Sequence, residues 1–191
     1  MDTQFVPISW QTMQNFVYTC DKCRLCQHRQ NVVFGEGTGS SGVVFVGEGP
    51  GAREDESGRP FVGKAGEVLS EAISGALGLN REEVYICNVV KCRPPNNRQP
   101  QDDEIAECMP YLARQLELLN PKVIITLGNT PKKALTGIET GITKVRGQWL
   151  EWRGIPLMPT FHPAYLLRNN NQTRFFYQDL QAVAELTLKN C

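Results

Sequence analysis

The sequence lacks any apolar run that approaches the roughly 18 residues needed to cross a membrane. Its opening residues, Met1-Asp2-Thr3, are unlike the start of a secretory signal peptide. These two absences predict a cytoplasmic protein with no membrane contact. With 191 residues, 41% of them hydrophobic, we expect one domain with a sizeable core over residues 1–191.

The sequence also lacks net charge, because 20 Lys and Arg side chains balance 20 Asp and Glu. Evenly spread, these charges would argue against nucleic acid as a partner. Between residues 140 and 178, however, the only acid is Glu151, whereas the basic residues are Lys144, Arg146, Arg153, Arg168 and Arg174. A local basic face is typical of phosphate contact, although a merely solvated face fits the same pattern equally well.

A glycine-rich turn follows the apolar run 43–46, which predicts a buried strand. The turn, Gly47-Glu48-Gly49-Pro50-Gly51, cannot continue a strand or a helix. No Gly-Lys-Ser/Thr follows it and its spacing is not G-x-G-x-x-G, so neither a P-loop nor a dinucleotide site is predicted. Glu54 and Phe61 follow, so the loop offers carboxylates, backbone N–H groups and a ring where α/β folds bind ligands. The alternative is a structural turn beside a solvated acidic patch.

Strand and helix patterns alternate along the chain. Apolar runs at 43–46, 84–90, 122–127, 149–152 and 155–161 predict strands, the last two of them paired around Arg153-Gly154. Helical spacing predicts helices at 9–19, 64–79 and about 102–119, one that follows Gly128 and runs through 135, and one at about 174–188. Asp102 or Asp103 is the expected cap of the third helix, and Pro110 should kink or restart it. We therefore expect a three-layer α/β/α domain with a short, central, parallel four-stranded sheet. In its second strand, Asn88 needs a local partner or a ligand.

Seven cysteines form an odd set, which argues against a complete disulfide framework. Three recur at every third position near the start and two lie far downstream: Cys20, Cys23, Cys26, Cys92 and Cys108. Two distant pairs can close one four-thiolate site, for zinc or for an iron–sulfur cluster. Cys87, in an apolar strand, and Cys191 are the expected bystanders.

Together, four features resemble the iron–sulfur uracil-DNA glycosylases, family 4 of that superfamily, over nearly the whole chain from about residue 20. They are the glycine-rich turn with Glu54-Asp55, Asn88, His162-Pro163-Ala164-Tyr165-Leu166-Leu167-Arg168, and four cysteines. The resemblance implies a DNA repair enzyme that flips uracil out of single- or double-stranded DNA and hydrolyses its N-glycosidic bond. It also implies a structural [4Fe–4S] cluster, held by Cys20, Cys23, Cys92 and Cys108. Cys26 departs from the family's usual pattern and is expected to be a spare thiol.

The resemblance also assigns roles around the base. Asn88 is expected to pair with O4 and N3–H of uracil, Phe61 to stack on its ring, and Gly47, Glu48 and Gly49 to face it. His162 is the expected donor to O2 as negative charge develops there. Glu48 is expected to stabilise the sugar cation and orient water, with Glu54 as the reserve.

The segment Tyr165, Leu166, Leu167 and Arg168 is expected to enter the duplex as a wedge, or else to pack in the core. We expect a monomer, and a replication clamp is a candidate partner.

Two other functions compete. A related group of covalent uracil-DNA binders carries a histidine-containing loop near the third cysteine, whereas residues 93–101 contain no histidine. A non-enzymatic zinc or iron–sulfur module that binds nucleic acid would leave Glu48, Asn88 and His162 unexplained as a set.

Overall fold

The computed structural model describes residues 9–188. Expectations that concern Met1-Asp2-Thr3 and Cys191 therefore lie outside the described residues. Of the helices within 9–188, none is both long enough and apolar enough to span a bilayer.

Five strands form one mostly parallel sheet in the order β2-β1-β3-β5-β4. They are β1 (Val43–Gly47), β2 (Tyr85–Asn88), β3 (Val123–Leu127), β4 (Leu150–Trp152) and β5 (Ile155–Thr160). The α/β class is confirmed, but the expected count of four strands is wrong. β4 pairs antiparallel with β5 at the sheet edge, because only two residues, Arg153 and Gly154, connect them and both have positive φ (49° and 83°).

Eight α-helices surround this sheet among the described residues. They are α1 (Trp10–Tyr18), α2 (Ala52–Ser57), α3 (Lys64–Ala72), α4 (Asp102–Leu119), α5 (Asn129–Thr136), α6 (Ile142–Val145), α7 (Pro163–Leu166) and α8 (Thr173–Leu188). A π-helical turn, Ile73–Leu77, extends α3 to Gly78, where the chain turns left-handed.

The details of α4 correct two expectations. Its cap is Gln101 rather than Asp102 or Asp103, and the Gln101 N–H donates to Oε2 of Glu104 at 2.8 Å. The helix also does not restart after Cys108 but runs unbroken through Pro110, and Leu112 and Leu116 beyond the proline are buried in the core on the sheet.

Side chains alternate between the two faces of the sheet and build two cores, which gives the predicted three layers. One core lies under α1 and α4 and includes Val44, Val46, Tyr85, Ile124, Leu112 and Leu116. The other lies under α3 and α8 and includes Val43, Phe45, Ile86, Ile125, Leu69 and Phe176. The carboxyl ends of β1, β2, β3 and β5 all reach one edge of the sheet, where ligands bind in α/β folds.

Candidate active site

A cleft of about 800 Å³ opens at this edge of the sheet. The structure brings together there most of the residues that were named from the sequence: Glu48, Gly49, Glu54, Phe61, Asn88 and His162. Their meeting follows from the parallel register, in which Gly47 at the end of β1 lies beside Asn88 at the end of β2.

Asn88 is the buried polar group that distinguishes this cleft. Its side chain is 1% exposed, and its Oδ1 accepts no hydrogen bond from any described residue. A buried acceptor without a donor costs roughly 1–3 kcal/mol, so this amide is suited to an N–H group brought by a ligand.

The space in front of Asn88 exists because residue 47 is glycine. A Cβ on Gly47 would lie 2.3 Å from Oδ1 of Asn88 and 2.7 Å from Cζ of Phe61. Any side chain at this position would therefore fill the gap between the amide and the aromatic ring.

Phe61 is held in a left-handed backbone conformation, with φ of 50°. Its carbonyl packs against Gly66 in α3 so closely that a Cβ there would lie 1.8 Å from the Phe61 oxygen. The Phe61 ring is buried, and its centroid lies 5.6 Å from that of His162. The loop thus presents a fixed aromatic wall to the cleft.

His162 caps the amino end of α7. Its Nδ1 accepts a hydrogen bond from the Ala164 N–H at 3.1 Å, so the proton of the neutral ring resides on Nε2. Desolvation lowers the pKa of His162 to about 4, although the nearby Glu54 carboxylate raises it. At neutral pH the ring is therefore an uncharged N–H donor.

The two candidate carboxylates differ in what holds them. Glu48 accepts a hydrogen bond on one oxygen, Oε2, from the Thr130 hydroxyl. Glu54 accepts two backbone N–H groups on Oε1, from Val62 at 3.0 Å and from Gly63 at 3.3 Å. Glu54 thus closes the loop that carries Phe61.

Two parts of the site were missed by sequence reasoning. Thr130 follows β3, so the rule that marked the ends of β1 and β2 could have found it. The Pro-rich loop supplies another wall, with Pro94, Asn97 and Arg98. The local sequence of that loop predicts only irregular structure and carries no signal of this contact.

The segment after His162 divides between core and surface. Leu166 is 1% exposed and packs in the core, so its expected part in a DNA wedge is wrong. Tyr165 stacks on Phe161, with ring centroids 5.0 Å apart, and lines the cleft. Leu167, 46% exposed, and Arg168 face solvent at the rim.

Five cysteines line a second, smaller cavity: Cys20, Cys23, Cys26, Cys92 and Cys108. All five are free thiols. Burial raises the pKa of the Cys92 and Cys108 thiols, the latter to about 11, and Arg29 donates to Sγ of Cys92 at 3.2 Å. Within residues 9–188, no group of three or more His, Cys, Asp or Glu side chains is arranged to hold a metal ion.

Comparison with known proteins agrees with this geometry. The uracil DNA glycosylase superfamily model matches residues 34–184. A type-4 uracil-DNA glycosylase of Sulfurisphaera tokodaii is 45% identical over 188 residues, which cover 94% of this chain and 86% of that protein. The corresponding enzyme of Thermotoga maritima is 50% identical over 169 residues, 86% of this chain and 88% of that protein.

The chain belongs to the type-4 uracil-DNA glycosylases. A type-5 uracil-DNA glycosylase of Pyrobaculum aerophilum is more distant, at 30% identity over 158 residues, 74% of this chain and 68% of that protein. The family inferred from the glycine-rich turn, Asn88, the His162 segment and the cysteines is confirmed. As a type-4 uracil-DNA glycosylase, the chain is a DNA repair enzyme that excises uracil.

Proposed function

We propose that the cleft reads one flipped uracil and hydrolyses its bond to deoxyribose, leaving an abasic site. The observation that carries this assignment is the unpaired Oδ1 of Asn88, set behind Gly47 and beside Phe61. A base inside a duplex is out of reach, so it must be flipped into such a pocket and read on its Watson–Crick edge.

Base recognition follows from the donors and acceptors. Oδ1 of Asn88 accepts from N3–H of uracil, and its Nδ2 donates to O4. Cytosine presents a bare N3 and an exocyclic amine. Its N3 would place an acceptor against Oδ1 of Asn88, and its amine would place a donor against Nδ2. Phe61 stacks on the ring, and the backbone of Gly47 and Gly49 faces the carbonyls.

The departing base requires stabilisation of negative charge. As the C1′–N1 bond breaks, its electron pair goes to uracil, and O2 shares the charge. Nε2–H of His162 donates to O2, the role of an oxyanion-hole donor. A neutral ring supports this assignment, since Nδ1 is already engaged by the Ala164 N–H.

The sugar side requires a carboxylate. Glu48 stabilises the cationic sugar and orients the water whose oxygen bonds to C1′, and its carboxylate accepts the proton released. Thr130 holds one of its oxygens and leaves the other for water. Glu54 is the second candidate, but its two backbone hydrogen bonds favour a role in holding the loop.

The rim of the cleft provides the DNA contacts. We assign Leu167 as the apolar wedge that fills the gap left by the flipped base, and Arg168 as a phosphate contact. Tyr165 supports both from inside the cleft. Arg98 also lines the cleft, where its guanidinium donates to Glu104 at 2.6 and 2.8 Å.

The cysteine cavity fits a [4Fe–4S] cluster held by Cys20, Cys23, Cys92 and Cys108, with Cys26 spare. Its thiols are free and gathered from three distant segments, and the Arg29 cation faces them. Each iron of such a cluster would take one thiolate from the chain, so the four thiols would not have to converge on a single ion. The cluster would act as a structural cross-link between the turn after α1 and the Pro-rich loop.

The direct test is incubation with an oligonucleotide that contains one uracil, followed by alkali, which cleaves the strand at an abasic site. We expect cleavage at uracil and none at cytosine. Asn88→Ala should lower the single-turnover rate by about 10- to 10²-fold, because a bidentate base contact is worth roughly 1–3 kcal/mol. Full activity in this variant would show that Asn88 is a structural amide.

Three expectations stay predictions: one domain over residues 1–191, a monomeric state, and a replication clamp as a candidate partner.

A further inference from the structure

Lys91 is a buried cation that the mechanism above does not use. Its side chain is 1% exposed, and its Nζ donates to the backbone carbonyl of Asn88 at 2.8 Å. No ion pair joins it to an Asp or Glu within the part of the chain that the structure describes. Burying an unpaired ion is strongly unfavourable, so such a residue requires compensation from its surroundings.

Lys91 lines the cavity of the five cysteines, and the charged residues Lys22, Arg29 and Glu107 line it as well. Thiolates that hold an iron–sulfur cluster are negatively charged, and this charge would compensate the buried ammonium.

Lys91 therefore lies between two sites. On one side is the cysteine cavity, and on the other is Asn88, whose side chain lines the uracil cleft. The contact is made at the end of β2, an edge strand. Nζ of Lys91 anchors the backbone from which the Asn88 amide projects.

We propose that Lys91 is a positioning residue that ties the cysteine-bound centre to the reading of uracil. This assignment rests on the function proposed above, and it links the cysteine-bound centre to the uracil cleft. The ammonium of Lys91 holds the Asn88 backbone so that its amide meets the base edge, and the negative charge of a bound centre would stabilise that ammonium.

Equilibrium binding tests this without catalysis. In a Glu48→Gln background, which slows excision, we would measure Kd for DNA with one uracil and for the same DNA with a stable abasic analogue. Lys91→Met should reduce the preference for uracil by about tenfold, because the amide contact exists only when a base is present. Binding to abasic DNA and the iron content per chain should not change.

Lys132→Met is the matched control. Lys132 is also 1% exposed and donates to a backbone carbonyl, that of Thr140, but it does not line the cleft or the cysteine cavity. Its replacement should lower the melting temperature and leave the preference unchanged. Lys91→Arg, which keeps a cationic donor, should retain most of the preference.

The proposal is refuted if Lys91→Met keeps the full preference, or if both methionine variants lose it in proportion to their stability. It is also refuted if the preference for uracil falls as far in Lys91→Arg as in Lys91→Met. The arginine variant keeps the test decisive if the methionine variant fails to fold. A Glu48→Gln parent with no preference for uracil over the abasic analogue would instead contradict the proposed reading by Asn88.

Discussion

Replacing Gly47 with alanine should close the uracil pocket with a single methyl group. The backbone φ of Gly47 is not positive, so alanine fits the main chain and the effect is steric. The new Cβ would lie 2.3 Å from Oδ1 of Asn88, whereas contacts below 3.0 Å are essentially never found. The amide would have to retreat by about 0.7 Å, and the Phe61 ring blocks the other side at 2.7 and 2.8 Å.

The size of the effect follows from these contacts. Losing the amide–base contact alone removes roughly 1–3 kcal/mol, and the methyl group also occupies space that the base needs. We expect the single-turnover rate of excision to fall by about 10²-fold or more. Overpacking should cost about 1–3 kcal/mol of stability, and each kcal/mol lowers the melting temperature by about 2–4 °C in a chain of this size.

The single-turnover rate of excision should be measured at saturating enzyme, at a temperature well below the melting temperatures of the unsubstituted protein and of Gly47→Ala. Gly75→Ala is the control, because its Cβ would meet Tyr177 at an ordinary 3.4 Å, far from the amide. This control should excise uracil at the unsubstituted rate. Gly47→Ala activity within about threefold of that rate would refute the placement of uracil between Asn88 and Phe61.

Protonation of His162 requires Nδ1 to give up its hydrogen bond from the Ala164 N–H. The rate of uracil excision should therefore not depend on pH near neutrality and should fall as the pH approaches about 4. The unfolded chain takes up this proton near pH 6.5, so stability should decrease as pH falls from 6.5 towards 4, and His162→Gln should flatten that slope in pH-dependent denaturation. Glu48→Gln should lower the single-turnover rate by about 10²–10³-fold with DNA affinity retained, whereas Glu54→Gln should mainly lower the melting temperature; the reverse pattern would exchange the two roles. Protein purified without oxygen should be brown, and Cys108→Ala should lose iron while Cys26→Ala keeps it; colourless protein with stoichiometric zinc would contradict the cluster.

Much of the fold was predictable because its signals are local. A short apolar run that ends at glycine, as at residue 47, is visible without knowledge of its neighbours. Parallel strands also place their carboxyl ends at one edge, so Glu48, Asn88 and His162 could be grouped before the structure was known. The position of Thr130 obeys the same rule.

The errors arose where tertiary contacts override a local preference. A proline inside a helix usually breaks the helix, but α4 continues through Pro110 because the buried face of α4 packs in the core on the sheet. The antiparallel pairing of β4 with β5, by contrast, follows from the short Arg153-Gly154 turn, a local signal from which paired strands were predicted. Leu166 and Leu167 are identical in type, yet only packing decides that the first is buried and the second exposed.

The sequence by itself thus determined the layers, the strand ends and the residue types that the chemistry of uracil requires. Only the tertiary structure decided which polar groups are already paired. It pairs the backbone N–H groups of Val62 and Gly63 with the Glu54 carboxylate and leaves Oδ1 of Asn88 without a donor. It also sets the Lys91 ammonium between Asn88 and the cysteines. Hydrogen bonds between segments distant in sequence depend on distances of a few tenths of an ångström, and these arise only when the whole core has packed.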